Sequence, residues 1–549
     1  MSYTVRYRRE NGGDNVIPKQ LTPCRIVTSE NVVEPENLLQ DRPLQAGFSP
    51  EGCAIIKQGG YVVLDFGREI CGGIGMVVFT TSVQPVFAKC RIVFGESVME
   101  ALSSIGYKNA TNSHAVRDLV LEVGGKSTVH YGFTGFRFVK IEALDADIEV
   151  KAVKAETDIK EIEYKGSFSC NDERLNQIWN TGAYTVHLNM HDYVWDGIKR
   201  DRLVWIGDLH PEMSTIKAVF GYDDSIPNSL DFTKEEFPPT QWINTFPSYS
   251  MWWIINHYDW YMQNGDIEYL KEQTEYISVL IEQAVLWIQS EEKETAKIFV
   301  DWSSRANTEV ALIGVYAVMY KAFRTAQKIF ELFEENEQAR KCDEAAKLIE
   351  EMHLEAPNQK QVAAICAYSG LCDNRQVNKD VLSVNPLSGL STFFGYYVLL
   401  TRGAAGDIDG ALEVIRNYWG AMLDMGATTF WEDFDLDWME NASPIDELVP
   451  EGKKDIHGDF GKFCYTQFRH SLCHGWASGP TAFLSEYVLG VKILEPGCKK
   501  VQIVPHLGDL KWVKGTYPTP YGVIHISHEV VEGKVVTKVS GPDEIEIIN

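Results

Sequence analysis

The stretch WDGIKRDRLVWIGD, Trp195 to Asp208, sets Asp196, Asp201 and Asp208 beside Lys199, Arg200 and Arg202, with two tryptophans and two glycines among them. Neither an ordinary core nor a solvated face calls for so much charge next to flat apolar surface, whereas a ligand cleft needs both. Asp201, Trp205 and Asp208 stand at i, i+4 and i+7, a spacing that a helix gathers on one side, while Gly197 and Gly207 favour loop geometry. The spacing predicts a loop that enters or leaves a helix. A charged surface loop with Arg200 and Arg202 paired to Asp196 and Asp208 fits it equally well.

Outward from this stretch the apolar period is helical. Ser169 to His191 carries it on the N-terminal side, with Asn171 or Asp172 placed to cap the run that begins near Leu175. On the C-terminal side helices are predicted over Trp252–Gln263, Ile267–Ser290, Glu309–Glu334, Ala339–Leu354, Leu390–Thr401, Gly410–Asp424 and Pro480–Leu489. No fixed repeat is visible. Residues 1–166 read as β structure: Tyr61–Gly67, Ile74–Thr80, Cys90–Glu96, Asp118–Gly125, Phe136–Leu144 and Ile148–Thr157 are β-branched, partly alternating and separated by Gly, Asn and Ser. This sandwich contains no tryptophan, which favours a packing role over a free-standing sugar-binding module. After Gly490 short strands punctuated by Pro and Gly make a third domain, so the division is 1–166, 167–489 and 490–549.

At 549 residues the chain is too long for one core. The formal charge of −26, with no long Lys/Arg cluster, excludes nucleic acid and anionic membrane as partners and suits a neutral ligand. No apolar run approaches the ~18 residues of a membrane span, and MSYTVRYRRENGG lacks the apolar stretch of a leader, so a cytoplasmic protein is expected. The eleven scattered cysteines form no CxxC pair and read as reduced thiols; only Cys473, next to His474, has a neighbour that could activate it. Neither HExxH nor an EF-hand loop occurs, so no metal and no cofactor is expected.

Nine of the fourteen tryptophans lie between Trp179 and Trp302, in the part of the chain that holds the charged stretch. Any one of them packs a core as readily as a ligand, but tryptophan beside carboxylates is what a sugar requires, with its C–H face and hydroxyl rim. Two further runs carry the same mixture. In GATTFWEDFDLDWMEN (Gly426 to Asn441), Glu432 is flanked by Phe430, Trp431 and Phe434 and is poorly solvated; a helix-terminal acid paired to an arginine reads the same way. In FRHSLCHGWASGPTAFL (Phe468 to Leu484), His474 lies on an apolar stretch, where a satisfied core histidine is the ordinary case.

Together these runs resemble the motifs of bacterial α-L-rhamnosidases of glycoside hydrolase family 78. The charged stretch is similar to the family's Asp, then a carboxylic acid, then Trp-x-Gly-Asp; TTFWE resembles Thr-Thr-x-Trp-Glu; and CHGWASG resembles the Asn-His-Tyr-Ala run, with Cys473 in place of Asn and Gly475 in place of Tyr. LDFGREICGG, FGES and GFTGFRFVKI resemble the family's N-terminal β-sandwich, and PHLGDLKWVKGTYPTPYG its closing one. The resemblance implies a central (α/α)6 barrel between two β-sandwich domains, acting as an inverting hydrolase of terminal α-L-rhamnosides.

By the same resemblance Asp201, where many members carry Glu, is the general acid and Glu432 the general base. Asp196, Arg200, Trp205, Asp208, Tyr249, Trp252, Trp302 (in VDWSS) and His474 bind the sugar. Asp201 must be protonated to act, so Arg200 and Arg202 are expected to point away from it and to orient Asp196 and Asp208. Glu432 and His474 stand 42 residues apart, more than in the family, so Asp435 to His457 is expected to form a cleft-side loop. The expected partner is a rhamnose-containing oligosaccharide or glycoside, and a homodimer stays open. So do a uronic-acid hydrolase or lyase on the same scaffold, and a catalytically inactive sugar-binding protein.

Overall fold

The computed structural model describes residues 19–83, 87–291, 293–294, 297–463 and 465–549; the N-terminal stretch read for a leader and Cys464 lie outside them. Six helical hairpins form the centre. In chain order they pair α1 (Glu173–Asn189) with α2 (Ile206–Val219), α3 (Ser225–Glu236) with α4 (Pro247–Asn264), and α5 (Thr274–Gln289) with α6 (Thr308–Leu332). There follow α7 (Asn336–Glu350) with α8 (Lys360–Ser369), α9 (Asn374–Val377, running on to Leu382) with α10 (Gly395–Ala405), and α11 (Ile408–Val414, running on to Asp424) with α12 (Gly479–Phe483, running on to Val488). The second helix of each pair packs on the next, and α12 closes on α2, giving an inner ring of six inside an outer ring of six.

Local chemistry sets several of these boundaries. Asp172 caps α1 by accepting from the N–H groups of Arg174 and Leu175, and Asn307 caps α6 by accepting from Glu309 and Val310. Gly265, Gly370 and Gly406, all left-handed, stop α4, α8 and α10. Helix α2 is different. All fourteen of its residues are buried and Pro211 lies inside it, so IGDLHPEMSTIKAV shows no apolar stripe and offers no helical period to read. Helices α3, α8 and α9 are likewise not expected from the sequence, and the run Ile267–Ser290 breaks into Ile267–Lys271 and α5.

The N-terminal domain is one hydrogen-bonded network of seven strands: β1 (Gln20–Leu21), β2 (Arg25–Val33), β3 (Ala54–Thr81), β4 (Ala88–Gly95), β5 (Asp118–Val123), β6 (Ser127–Ala143) and β7 (Ile148–Thr157). The ladder between β3 and β6 shifts register between Asp65 and Ile70, so the two long strands pair in two runs, on either side of that irregularity. The C-terminal domain has two sheets. One joins Val491–Glu495, Lys500–Ile503 and Glu546–Ile548; the other joins Trp512–Thr519, Gly522–Val531 and Lys534–Ser540, and takes β8 (Ser167–Cys170) as its edge. Residues 167–170, read from sequence as the start of the helical domain, thus belong to the C-terminal sheet, and the chain enters the barrel only at α1.

The seam between the N-terminal domain and the barrel is polar and tight. Arg137 pairs both its Nε and Nη2 with Asp65 and donates to the carbonyl of Gly426 at 3.0 Å, and the N–H of Glu69 donates to Thr428 Oγ1 at 2.8 Å. Ile445, Ile456 and His457 are buried, the N–H of Val98 donates to the carbonyl of Ile445, and Ser97 Oγ hydrogen-bonds His457 Nδ1. Part of Asp435–His457, expected beside the cleft, therefore lies in this seam, while Asp435 itself stays on the side of Glu432.

Trp252 is part of the same correction. It is fully buried in α4, stacked on Tyr397 with ring centroids 5.2 Å apart and against His210 at 4.7 Å, so it is core and no sugar platform. Trp252→Ala is expected to cost about 3–5 kcal/mol of stability by leaving a cavity between the inner helices, which a thermal melt reads directly.

Candidate active site

The inner helices all begin at one end of the barrel, and the charged stretch is the loop that enters α2 there: a turn over Ile198–Asp201, a left-handed residue at Arg202, then irregular backbone to Trp205. Beneath it the run through Glu432 and the strap Phe468–His474 lie side by side. The N–H of Glu432 donates to the carbonyl of Ser471, the N–H of His474 to the carbonyl of Phe430, and Gly197 bridges His474. Three segments far apart in sequence are thereby stitched by backbone hydrogen bonds.

One guanidinium joins the two candidate catalytic acids. Arg200 Nη1 lies 2.5 Å from Asp201 Oδ2, and its Nη2 2.8 Å from Glu432 Oε1. Glu432 Oε2 accepts from the N–H of Ser471 at 3.0 Å, and His474 Nε2 lies 3.5 Å from Glu432 Oε1 and 3.9 Å from Asp196 Oδ2. The expectation that both arginines turn away from Asp201 fails for Arg200, because the turn at Ile198–Asp201 removes the alternation of an extended strand. Arg202, at a positive φ of 52°, does turn away, but donates to the carbonyls of Ile198 and Phe133 rather than to Asp196 or Asp208.

Burial dominates the electrostatics. Glu432 is 1% exposed, and desolvation raises its carboxyl above the usual range although Arg200 and the N–H of Ser471 pull it down. Asp196 is pushed up to about 8 by burial and by the charge of Asp201, and Asp208, which accepts from Tyr249 Oη at 2.8 Å, is raised well above the usual range by burial and by Asp196. Burial holds His474 neutral. The thiol of Cys473 is pushed well up in the same way, which removes it as a nucleophile.

Because Asp196 and Asp208 hold protons that they release on unfolding, their contribution to stability is complete below the ordinary carboxylate range and is lost as pH rises toward the folded values. The melting temperature is expected to fall between about pH 5 and pH 8. Asp196→Asn, which cannot ionise, should flatten that fall; an unchanged slope would assign it to other groups.

Beside Glu432 opens a hollow of about 100 Å³ walled by Trp302, Phe393, Phe463, Tyr465 and Trp476, with Asp301, Gln361 and Asp433 on its polar side. Trp302 meets Tyr465 edge-on at 5.5 Å, and the Arg200 guanidinium lies 4.6 Å above the Tyr465 ring. Half-buried Trp205 packs edge-on against Tyr249, and Tyr249 leads through Phe299 to Trp302. The structure thus gathers Asp196, Arg200, Asp201, Glu432 and His474 in direct contact. Asp208 with Tyr249 stands behind them, Trp302 and Trp205 lie along the wall, and Trp252 lies outside.

Sequence reasoning missed Asp433, Asp301 and Tyr465. Asp433 is held up to about 7 by burial, and its Oδ2 has no hydrogen-bond partner among the described residues. Its position beside Glu432 was the available signal, masked by the other acids of that run.

An inner and an outer ring of six helices, with paired carboxyl groups and aromatic rings at the N-terminal ends of the inner helices, is the build of a six-hairpin glycosidase. Residues 163–360 match the bacterial α-L-rhamnosidase six-hairpin glycosidase domain, and residues 490–547 match the bacterial α-L-rhamnosidase C-terminal domain. Both matches fall on domains that the fold separates, so over the first part of its helical centre and over its C-terminal sheets the chain is similar to bacterial α-L-rhamnosidases.

It is similar to an α-L-rhamnosidase of Formosa agariphila, 23% identical over 471 residues, which is 76% of this chain and 48% of that protein. Among solved structures, the family 78 rhamnosidase of Bacillus sp. GL1 superposes with a TM-score of 0.74 at 20% identity, over 93% of this chain and 55% of that one. The Klebsiella oxytoca rhamnosidase with rhamnose bound gives 0.68 at 19% identity, over 85% and 95% of the two chains. The chain spans less than half the length of the curated relatives it matches. Among the described residues no helix is long and apolar enough to cross a membrane.

Proposed function

We propose that the protein hydrolyses terminal α-L-rhamnosides with inversion at the anomeric carbon, Asp201 serving as general acid and Glu432 as general base. The observation that carries this reading is the shared guanidinium: Arg200 binds one oxygen of each carboxylate, so the two carboxyl groups meet at one cation. Inverting glycosidases leave about 6.5 to 9.5 Å between such a pair for a water molecule, and the guanidinium shared by the two carboxylates keeps them out of direct contact. The match to the bacterial α-L-rhamnosidase six-hairpin domain, and the rhamnose bound to the similar Klebsiella oxytoca enzyme, support rhamnose as the sugar.

In the forward step the Asp201 carboxylic acid gives its proton to the glycosidic oxygen as the bond to the anomeric carbon breaks. Glu432 takes a proton from the water whose oxygen forms the new bond on the opposite face. Solvent then returns the two carboxyls to their starting states. Asp201 has to leave Arg200 to carry its proton, and its 26% exposed side chain has room to swing that the enclosed Glu432 lacks. Arg200, still held by Glu432 and by the carbonyl of Arg469, keeps the base in place meanwhile. Asp196 and Asp208, protonated, can both donate to and accept from sugar hydroxyls, and Asp433 Oδ2 offers a further acceptor beside Trp302.

A proton NMR time course on an aryl α-L-rhamnoside tests this. β-Rhamnose is expected first, followed by mutarotation; α-rhamnose first would overturn inversion, and no release would overturn the substrate.

A further inference from the structure

Lys199, one residue before Arg200, is 2% exposed, yet its ammonium is fully engaged. Its Nζ lies 2.9 Å from Glu96 Oε2 and 3.2 Å from Glu100 Oε1, both in the N-terminal domain, and donates to the carbonyls of Phe468 at 3.1 Å and His470 at 2.7 Å in the barrel strap. Glu96 is completely buried and reaches the same strap itself. Its Oε2 accepts from the N–H of Leu472 at 2.7 Å and its Oε1 from Ser471 Oγ at 3.3 Å. Glu96, Glu100 and His457 bring ligand atoms within 4.8 Å of one another, and Lys199 is the cation among them.

Burying two carboxylates with one ammonium is a poor way to stabilise a seam, since apolar side chains of the same volume serve as well or better. What the charges supply here is geometry. Through Lys199 the Glu96 carboxylate holds the loop that carries Arg200 and Asp201. Through Ser471 and Leu472 it holds the strap whose Ser471 N–H and C=O grip Glu432.

We propose that Glu96 is a positioning residue of the hydrolytic site: the N-terminal sheet domain sets the separation of Asp201 and Glu432 across the domain boundary. This rests on the acid and base roles given above. The groups that face Glu432 are Arg200, Asp201, His474, Asp196, Asp208 and Asp433. Of these Arg200, together with the N–H of Ser471, favours the Glu432 carboxylate, and both sit on segments that Glu96 ties down.

The test uses the full chain with E96Q, which keeps the volume but presents an NH2 to either Lys199 or Leu472. Expected are a fall in kcat of about 10- to 100-fold on an aryl α-L-rhamnoside, a KM little changed, and an acid limb of the kcat–pH profile moved to higher pH as Glu432 loses its partners. A residue that only stabilises the seam would lower the melting temperature and leave that limb in place, which overturns the proposal. Should E96Q not fold, the charge-balanced pair E96Q/K199M is expected to fold and still show the lowered kcat and shifted limb; native values in the pair overturn the proposal too. Wild-type protein that releases no rhamnose overturns the hydrolytic reading itself, and the role of Glu96 with it.

Discussion

Glu432→Gln is expected to lower turnover on an activated aryl α-L-rhamnoside by at least about 10²- to 10⁴-fold, the usual worth of a general base. Glutamine fills the same space and can still accept from the N–H of Ser471, so the backbone pairing of Glu432 with Ser471 survives and the melt should move little. The pH profile separates a base from a mere structural acid. Burial holds Glu432 protonated to a higher pH than an exposed glutamate, with Arg200 only partly opposing it. Turnover in the wild type should therefore decline, as pH falls, from above the ordinary glutamate value of about 4.3. In the variant that limb should vanish along with the bulk of the rate. Near-normal turnover with the limb intact would remove Glu432 from the reaction.

Legibility followed burial pattern. The amphipathic helices α1, α6 and α7 and the β-branched strands of the N-terminal domain declare themselves, since one face of each meets solvent or a neighbour of different polarity. Helix α2 does not, because burial on every side erases the period, and it is the helix on which Asp208 rides. The six-fold pairing was invisible for a related reason: linkers between the pairs differ in length, and the barrel is closed by contacts between helices far apart in the chain. At the site, motifs supplied identities but no geometry. Glu432 and His474 were singled out and do meet. Arg200 could not be placed, because whether a side chain follows its neighbour or opposes it depends on one turn. Trp252 and Tyr249 stand three residues apart on one helix, and only packing decides that Tyr249 reaches Asp208 while Trp252 faces the core.

The same turn at Ile198–Asp201 sets what Asp201→Asn should do. An amide in that place can still accept from Arg200 but carries no transferable proton, so the loss is expected to scale with how much help the leaving group needs. A nitrophenyl rhamnoside, whose phenolate leaves nearly unaided, should lose little; an alkyl or sugar aglycone, which departs as a strongly basic alkoxide, should lose about 10²- to 10⁴-fold. Asp201→Glu tests reach separately. It adds one methylene to a side chain already 26% exposed and keeps the carboxyl, so the protein should fold and keep activity on both substrates. Equal losses on both leaving groups in the asparagine variant would mean that Asp201 serves Arg200 and not the glycosidic oxygen. The acid would then have to be sought among Asp196, Asp208 and Asp433, whose carboxyls burial raises.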